Sequence, residues 1–267
     1  MNSSFYIARR YLFSKKTQNV INIISGVSIV GIMISTAAMV IILSGFNGIE
    51  GLVLRMFSSF ESDIEISSKQ TKTFDRNFIP TQVYEMDGVI NYSEVIEEIA
   101  IVKNLDNFII GTIKGVDQPF LEMSEMDEHL LDGRGIIQDE YGPFALIGGG
   151  AIENLDGYIY QYQGQYEYFT IYSPNKDEKI SRNQLKNIDV FTTSQIPIVG
   201  VFSYNNEVDQ EYLIVPLDYA AEIFNYKDEI TQVEIDFAEG TDLDQKKAEL
   251  ELMLGGSFQV KTSFEQN

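Results

Sequence analysis

The stretch VSIVGIMISTAAMVIIL, Val27 to Leu43, is almost wholly apolar or small, and it lies inside a longer gap without any ionisable side chain, from Lys16 to Glu50. Every charge before that gap is positive: Arg9, Arg10, Lys15 and Lys16. A helix over 17–49 extends roughly 50 Å at about 1.5 Å per residue, against a bilayer hydrocarbon core of about 30 Å. Such a helix spans a membrane and leaves Asn19, Asn22, Ser25 and Asn47 at the interfaces. Basic flanks are retained in the cytoplasm, so everything after about Phe46 is expected on the far side. A cleaved secretory signal shares the basic start, but its apolar part runs about 7–15 residues and ends at a small-x-small site. Here the small residues Ser35-Thr36-Ala37-Ala38 sit within the apolar run, which reads as an uncleaved anchor.

Charge divides the chain in two. Fifteen of the 19 basic residues and all 40 acids lie from Glu50 onward, an excess of 25 negative charges on that part. So acidic a surface repels nucleic acid and anionic headgroups, and no basic patch offsets it. About 210 residues follow the anchor, enough for one large core or two modest subdomains. The absence of cysteine removes disulfides, thiolate metal sites and thiol nucleophiles, and is compatible with a bacterial periplasmic setting.

Around the span, FYIARRYLF (Phe5 to Phe13) has the make-up of a short interfacial helix within a cytoplasmic segment 1–16. A transmembrane helix and stalk are expected over 17–60. Ile42, Phe46, Ile49, Val53, Met56 and Phe60 recur at steps of four and three, an apolar stripe on a helix continuing out of the lipid. Gly45, Gly48 and Gly51 make the neighbouring face small enough for close helix approach. The stripe either seats the stalk on its own domain or faces a membrane neighbour or ligand.

Beyond Phe60 the pattern changes to short strands and helices, an α+β class with mixed α/β pairing. Strands are predicted at 63–67, 95–102, 107–116, 196–204, 211–215, 230–237 and 258–262, with a hairpin turn at Asn104-Leu105-Asp106. Helices are predicted at 81–86, 121–131, 151–155, 217–224 and 242–254. YIYQYQGQYEYFTIY, Tyr158 to Tyr172, reads as a hairpin turning at Gln163-Gly164-Gln165, with an aromatic face for cross-strand packing or recognition. A charged loop is expected over 173–182.

Chemical motifs are sparse. Gly148-Gly149-Gly150 fits no phosphate-binding pattern and reads as a tight strand-to-helix turn. His129 is the single histidine and reads as a surface residue without enough strong ligands around it for a metal. No acid pair or nucleophile-base set stands out, so no catalytic, cofactor-binding or metal-binding residue is assigned, no cofactor is expected, and the chain does not read as an enzyme.

ARRYLFSKK (Ala8 to Lys16) followed by NVINIISGVSIVGIMISTAAMVIILSGFNGIEGLV (Asn19 to Val53) resembles the start of LolC/LolE-type lipoprotein-releasing permeases, of the FtsX-like and MacB-like ABC transporter class. LSGFNGIE, Leu43 to Glu50, is the most specific stretch; IKGVDQ (Ile113 to Gln118), ALIGGGAIENL (Ala145 to Leu155) and QVKTSFEQN (Gln259 to Asn267) follow in order. The resemblance implies an inner-membrane protein with a cytoplasmic N-terminus and a periplasmic core over 61–267. It implies a porter-like half, 61–140 and 207–267, holding a β-rich insertion over 141–206. It further implies a cytoplasmic ABC ATPase subunit, a second permease subunit (identical or related), a lipoprotein substrate and a periplasmic carrier. Such subunits continue into three more spans and a cytoplasmic coupling element, which are missing here, so the resemblance implies a truncated or split permease subunit, or one that cannot transport by itself. The candidate acyl-contact stripe on this resemblance is Ile42, Phe46, Ile49, Val53 and Met56. The alternative is a single-span anchored periplasmic binding module that docks an envelope protein partner and needs no ATPase.

Overall fold

Helix α1, Asn19–Ser58, follows directly from the apolar run: 40 residues without proline, about 60 Å at about 1.5 Å per residue. The structure is a computed structural model and describes residues 19–58, 60–159, 166–174 and 191–266. Within α1 it describes the side chains of 23–46, 48 and 49. The part from Ile23 to Phe46 is long and apolar enough to cross a membrane. Two of its hydroxyls are satisfied internally, Ser28 Oγ donating to the Ile24 carbonyl (2.9 Å) and Thr36 Oγ1 to that of Ile32 (2.8 Å). That leaves little polar surface for lipid to desolvate. The expected interfacial segment 1–16 lies outside the described residues. The chain divides between Leu54 and Arg55 into two units, each described by itself.

The second unit is organised on the hairpin that the sequence marks most clearly. Strand β3 (Val89–Asn104) and β4 (Asn107–Val116) pair from Val95↔Val116 to Asn104↔Asn107. The turn between them puts Leu105 at φ 49°. Around this hairpin are β1 (Ile64–Ser68), β2 (Phe74–Asp75), β5 (Leu130–Gly133), β6 (Gln138–Asp139), β7 (Gly142–Pro143), β8 (Ala145–Gly148), β9 (Glu167–Pro174), β10 (Phe191–Phe202), β11 (Tyr212–Pro216), β12 (Glu229–Ile230), β13 (Gln232–Phe237) and β14 (Phe258–Thr262). Ten of them form one sheet in the order β14-β1-β13-β3-β4-β11-β8-β10-β5, with β9 paired to both β10 and β3. Pairing is antiparallel except β4 with β11 and β8 with β10. The segment 141–206 thus supplies β8, β9 and β10 to the main sheet.

Alternation along the strands separates two apolar clusters. Ile96, Ala100, Val102, Ile113, Ile171 and Leu213 belong to the larger one, under α5 (Gly149–Asn154) and α7 (Leu217–Ile223). α7 lies so close that a Cβ on Gly115 would sit 2.2 Å from Ala220 Cβ, so only glycine fits there. Val95, Val116, Leu146, Val199 and Ile214 point the other way, into a cluster with Phe60, Phe120, Met126 and Phe202. The remaining helices are α2 (Thr81–Tyr84), α3 (Pro119–Met123), α4 (Met126–His129), α6 (Asn206–Glu211), α8 (Leu243–Leu254) and α9 (Ser263–Gln266). Asp242 caps α8 by accepting from Gln245 N at 3.1 Å.

Two expected elements take other forms. A continuous helix over 121–131 is replaced by α3 and α4, broken where Glu125 adopts φ 50°, and by β5, whose Leu130 to Gly133 pair with the end of β10. Sheet pairing overrides the local helical preference there. Of the hairpin expected over 158–172, Tyr158 and Ile159 are in no strand and 160–162 lie outside the described residues, while the second half, β9, pairs with β10 and β3. Its expected turn, 163–165, lies outside the described residues, as does 175–182 of the charged loop.

Just past α1, strand β1 is tied to β13 by a reciprocal acid pair. Asp63 N donates to Asp236 Oδ1 (3.2 Å) and Phe237 N donates to Asp63 Oδ2 (2.8 Å). Burial pushes the Asp236 carboxyl up to about 7; the hydrogen bond from Asp63 N opposes this, and the negative charges of Asp63, Glu234 and Glu125 add to it. Between the ordinary aspartate value and about 7 the folded state therefore binds more protons than the unfolded one, and stability falls as pH rises through that window. Asp236→Asn is expected to flatten this slope and to raise stability at neutral pH by about 1–2 kcal/mol. Urea titrations of both proteins at pH 5 and 7.5 check it, and parallel pH profiles would contradict it.

Candidate functional site: the helix stripe and the mount at Phe60

The C-terminal part of α1 carries three described residues of the stripe, all exposed. Ile42, Phe46 and Ile49 are 68%, 71% and 64% exposed, stacked on one side by the four- and three-residue spacing. Val53 and Met56 continue the spacing along the same helix, and their side chains lie outside the described residues. Phe60 breaks away from the stripe. It follows the last helical residue, Ser58, by two positions and is buried in the core of the second unit.

Phe60 is held by rings on several sides. The Tyr212 and Tyr204 ring centres lie 5.0 and 5.1 Å away, Phe120 stands edge-on at 6.0 Å and Phe202 stacks at 6.3 Å. Against the same ring lies a cation: Lys114 Nζ is 4.8 Å from the Phe60 centroid and 4.7 Å from that of Phe120. Strand register explains why a lysine is needed there. Glu65 lies directly opposite Glu234 on β1 and β13, and Glu97 directly opposite Lys114 on β3 and β4. Carboxylates facing each other repel, and burial makes their repulsion expensive. Lys114 Nζ lies 2.7 Å from Glu234 Oε1 and 3.9 Å from Glu97 Oε2. Gln232 Nε2 donates to Glu234 Oε1 (2.7 Å), and the Tyr212 hydroxyl donates to Glu97 Oε1 (3.2 Å).

The electrostatics follow from burial. Desolvation works against the Lys114 charge, but Glu234 and Glu97 outweigh it, and the ammonium is held above the usual lysine range. Burial pushes the Glu97 carboxyl up, only partly offset by Lys114, with the Glu234 charge adding to the rise. One cation thus balances more than one carboxylate. The cluster borders a cavity of about 340 Å³ that Glu61, Glu65 and Glu207 also line. This arrangement can fix Phe60 in one place; it brings no nucleophile and base together.

The remaining sequence candidates are structural. His129 Nδ1 lies 3.0 Å from the Ser203 carbonyl, and the ring stacks on Tyr204 at 4.1 Å, so this histidine is half-buried packing where a surface residue was expected. Gly148 passes so close to Asp209 that a Cβ would fall 2.3 Å from its carbonyl oxygen, in keeping with a tight turn into α5. Among the described residues no group of three acids or histidines converges as metal ligands. Sequence reasoning missed the Lys114 cluster. Its signal was a lysine inside an otherwise uncharged strand, NFIIGTIKGV.

Lys114→Met is expected to leave buried glutamates uncompensated and to cost about 3–5 kcal/mol. Adding Glu234→Leu is expected to restore a large part of that loss. Denaturant unfolding of both variants checks the pairing; equal stability of Lys114→Met and the parent would contradict it.

Comparison with known proteins fits this architecture. The LolE transmembrane protein of the lipoprotein-releasing system of Haemophilus influenzae is 21% identical over 240 residues, 88% of this chain and 55% of that protein. LolC of Buchnera aphidicola subsp. Schizaphis graminum is 27% identical over 226 residues, 83% of this chain and 52% of that one. LolC of Buchnera aphidicola subsp. Acyrthosiphon pisum is 30% identical over 114 residues, 43% of this chain and 28% of that one. The chain therefore spans about half the length, or less, of these relatives. Among solved structures, the extracellular domain of the noncanonic ABC-type transporter YknZ from Gram-positive bacteria aligns at a TM-score of 0.50 with 14% identity, covering 74% of this chain and 99% of that domain. The periplasmic region of MacB from Actinobacillus actinomycetemcomitans aligns at 0.50 with 8% identity, covering 75% and 88%. Both likenesses concern the fold. The MacB-like periplasmic core domain matches residues 25–252, most of the chain, and the chain belongs to that family.

Proposed function

We propose that this chain is the first span and extracytoplasmic core of a permease subunit in an ABC transporter that releases lipoproteins from the inner membrane. The observation that carries the reading is a helix whose part from Ile23 to Phe46 has no acid and is apolar enough to cross a membrane, in one chain with a MacB-like core. The relatives named as lipoprotein-releasing proteins supply the substrate class. In this reading the N-terminal cations stay in the cytoplasm and the acidic core lies in the periplasm. ATP hydrolysis belongs to a separate cytoplasmic subunit, a second permease subunit completes the membrane part, and a soluble carrier receives the lipoprotein.

A lipoprotein leaving the bilayer must keep its acyl chains sheltered, since each CH₂ exposed to water costs about 0.8 kcal/mol. Ile42, Phe46 and Ile49 offer an uncovered apolar stripe at the outer end of the span, with Val53 and Met56 continuing it in sequence. We assign acyl contact to these five residues. Phe60 and the Lys114 cluster hold the start of the second unit against its sheet.

Phe46→Asp combined with Val53→Asp in the complete permease tests the assignment. Photo-crosslinking of lipoprotein from a probe at Ile49 is expected to fall at least tenfold, with subunit assembly unchanged. Undiminished crosslinking would remove the stripe from the acyl path.

A further inference from the structure

The cavity of about 340 Å³ beside Phe60 carries more negative charge than its wall balances. Glu65, Glu97, Glu207 and Glu234 line it, and among the described residues Lys114 is the one basic side chain on that wall. Its ammonium is already engaged, 2.7 Å from Glu234 Oε1. Gln232 Nε2 donates to the same oxygen (2.7 Å), so two donors converge on one side of the Glu234 carboxylate. The other oxygen, Oε2, accepts no hydrogen bond among the described residues, although Glu234 is only 2% exposed. A buried carboxylate oxygen without a donor is costly, and native folds satisfy nearly all such atoms. Further donors on the wall are turned elsewhere: Gln266 Nε2 to the Ser62 carbonyl (3.0 Å) and the Tyr212 hydroxyl to Glu97 Oε1 (3.2 Å). The wall lacks a donor that also carries positive charge. Water supplies the hydrogen bond but not the charge.

The placement of the carboxylates selects the kind of cation. Among the described residues no three acids converge as metal ligands do. Glu65, Glu234 and Glu97 come instead from three successive strands, β1, β13 and β3, and Glu207 from α6. Charge is thus spread along the wall rather than gathered at a point. An elongated cation with charge at both ends matches such a wall better than a point charge does. Phe60, Val208 and Tyr212 add apolar surface that suits methylene groups. The volume is that of a small-molecule site, which starts at about 300 Å³. We propose that this cavity binds an aliphatic diamine, its two ammonium groups reaching separate carboxylates and one of them donating to Glu234 Oε2. The proposal goes beyond the lipoprotein reading and does not depend on it.

The probe is 1,4-diaminobutane, titrated calorimetrically into the full chain in detergent micelles at fixed ionic strength. One saturable site per chain is expected. Butylamine has a single ammonium, as a lysine side chain of a protein partner would, and is expected to bind at least tenfold more weakly. Glu207 is exposed on α6, so Glu207→Gln keeps the fold, with unchanged circular dichroism. It is expected to weaken diamine binding about tenfold through loss of one charge-assisted contact. Glu251→Gln, on α8 and likewise exposed, controls for the general acidity of the chain and is expected to keep the parent affinity. Three results would overturn the proposal: no saturable binding of the diamine, equal affinity for butylamine, or a Glu207→Gln variant that binds as tightly as Glu251→Gln.

Discussion

Taking a charge out of water costs several kcal/mol unless a partner is at hand, and this chain meets that cost in two ways. Over 17–49 it avoids the problem by carrying no ionisable side chain. In the core it solves the problem with one lysine: Lys114 lies between Glu234 and Glu97 and against the Phe60 ring. The sheet could not bring Glu65, Glu97 and Glu234 onto one side of adjoining strands without a cation among them. The mount for Phe60, just past the helix in sequence, therefore rests on this ion cluster.

The two solutions suit different tasks. A helical segment free of charge, such as Ile23 to Phe46, is compatible with lipid on all sides, because its backbone groups are satisfied within it. An ion cluster with oriented partners fixes one strand register, because a slip of one residue would send Lys114 and its glutamates to opposite faces. The register in turn fixes where the chain enters the core at Phe60.

Much of the fold was legible because local signals and tertiary pairing agree. The apolar helix, the β3–β4 hairpin, the helix capped by Asp242 and the final strand all fall where pattern and turn residues put them. The failures have a common cause. Leu130 and Leu131 continue a helical pattern, yet they are drawn into β5 by pairing with β10, and the second half of the tyrosine-rich stretch pairs with distant strands. Long-range pairing of this kind has no local signature. Of the stripe read from spacing, only Ile42, Phe46 and Ile49 have described side chains, all exposed, while Phe60, given the same spacing, is buried in the second unit. Lys114 was visible as an oddity in an apolar strand, but Glu97 and Glu234 lie on strands far apart in sequence, and only the register joins them.

The central claim is that one helix crosses the membrane and carries the acidic core to the outer side. Labelling a Leu252→Cys variant in intact spheroplasts with a membrane-impermeant maleimide tests it directly, since Leu252 is exposed and the chain has no other thiol. The account predicts full labelling before lysis, and none for a Ser14→Cys variant. Labelling of Leu252→Cys only after the membrane is broken would contradict it.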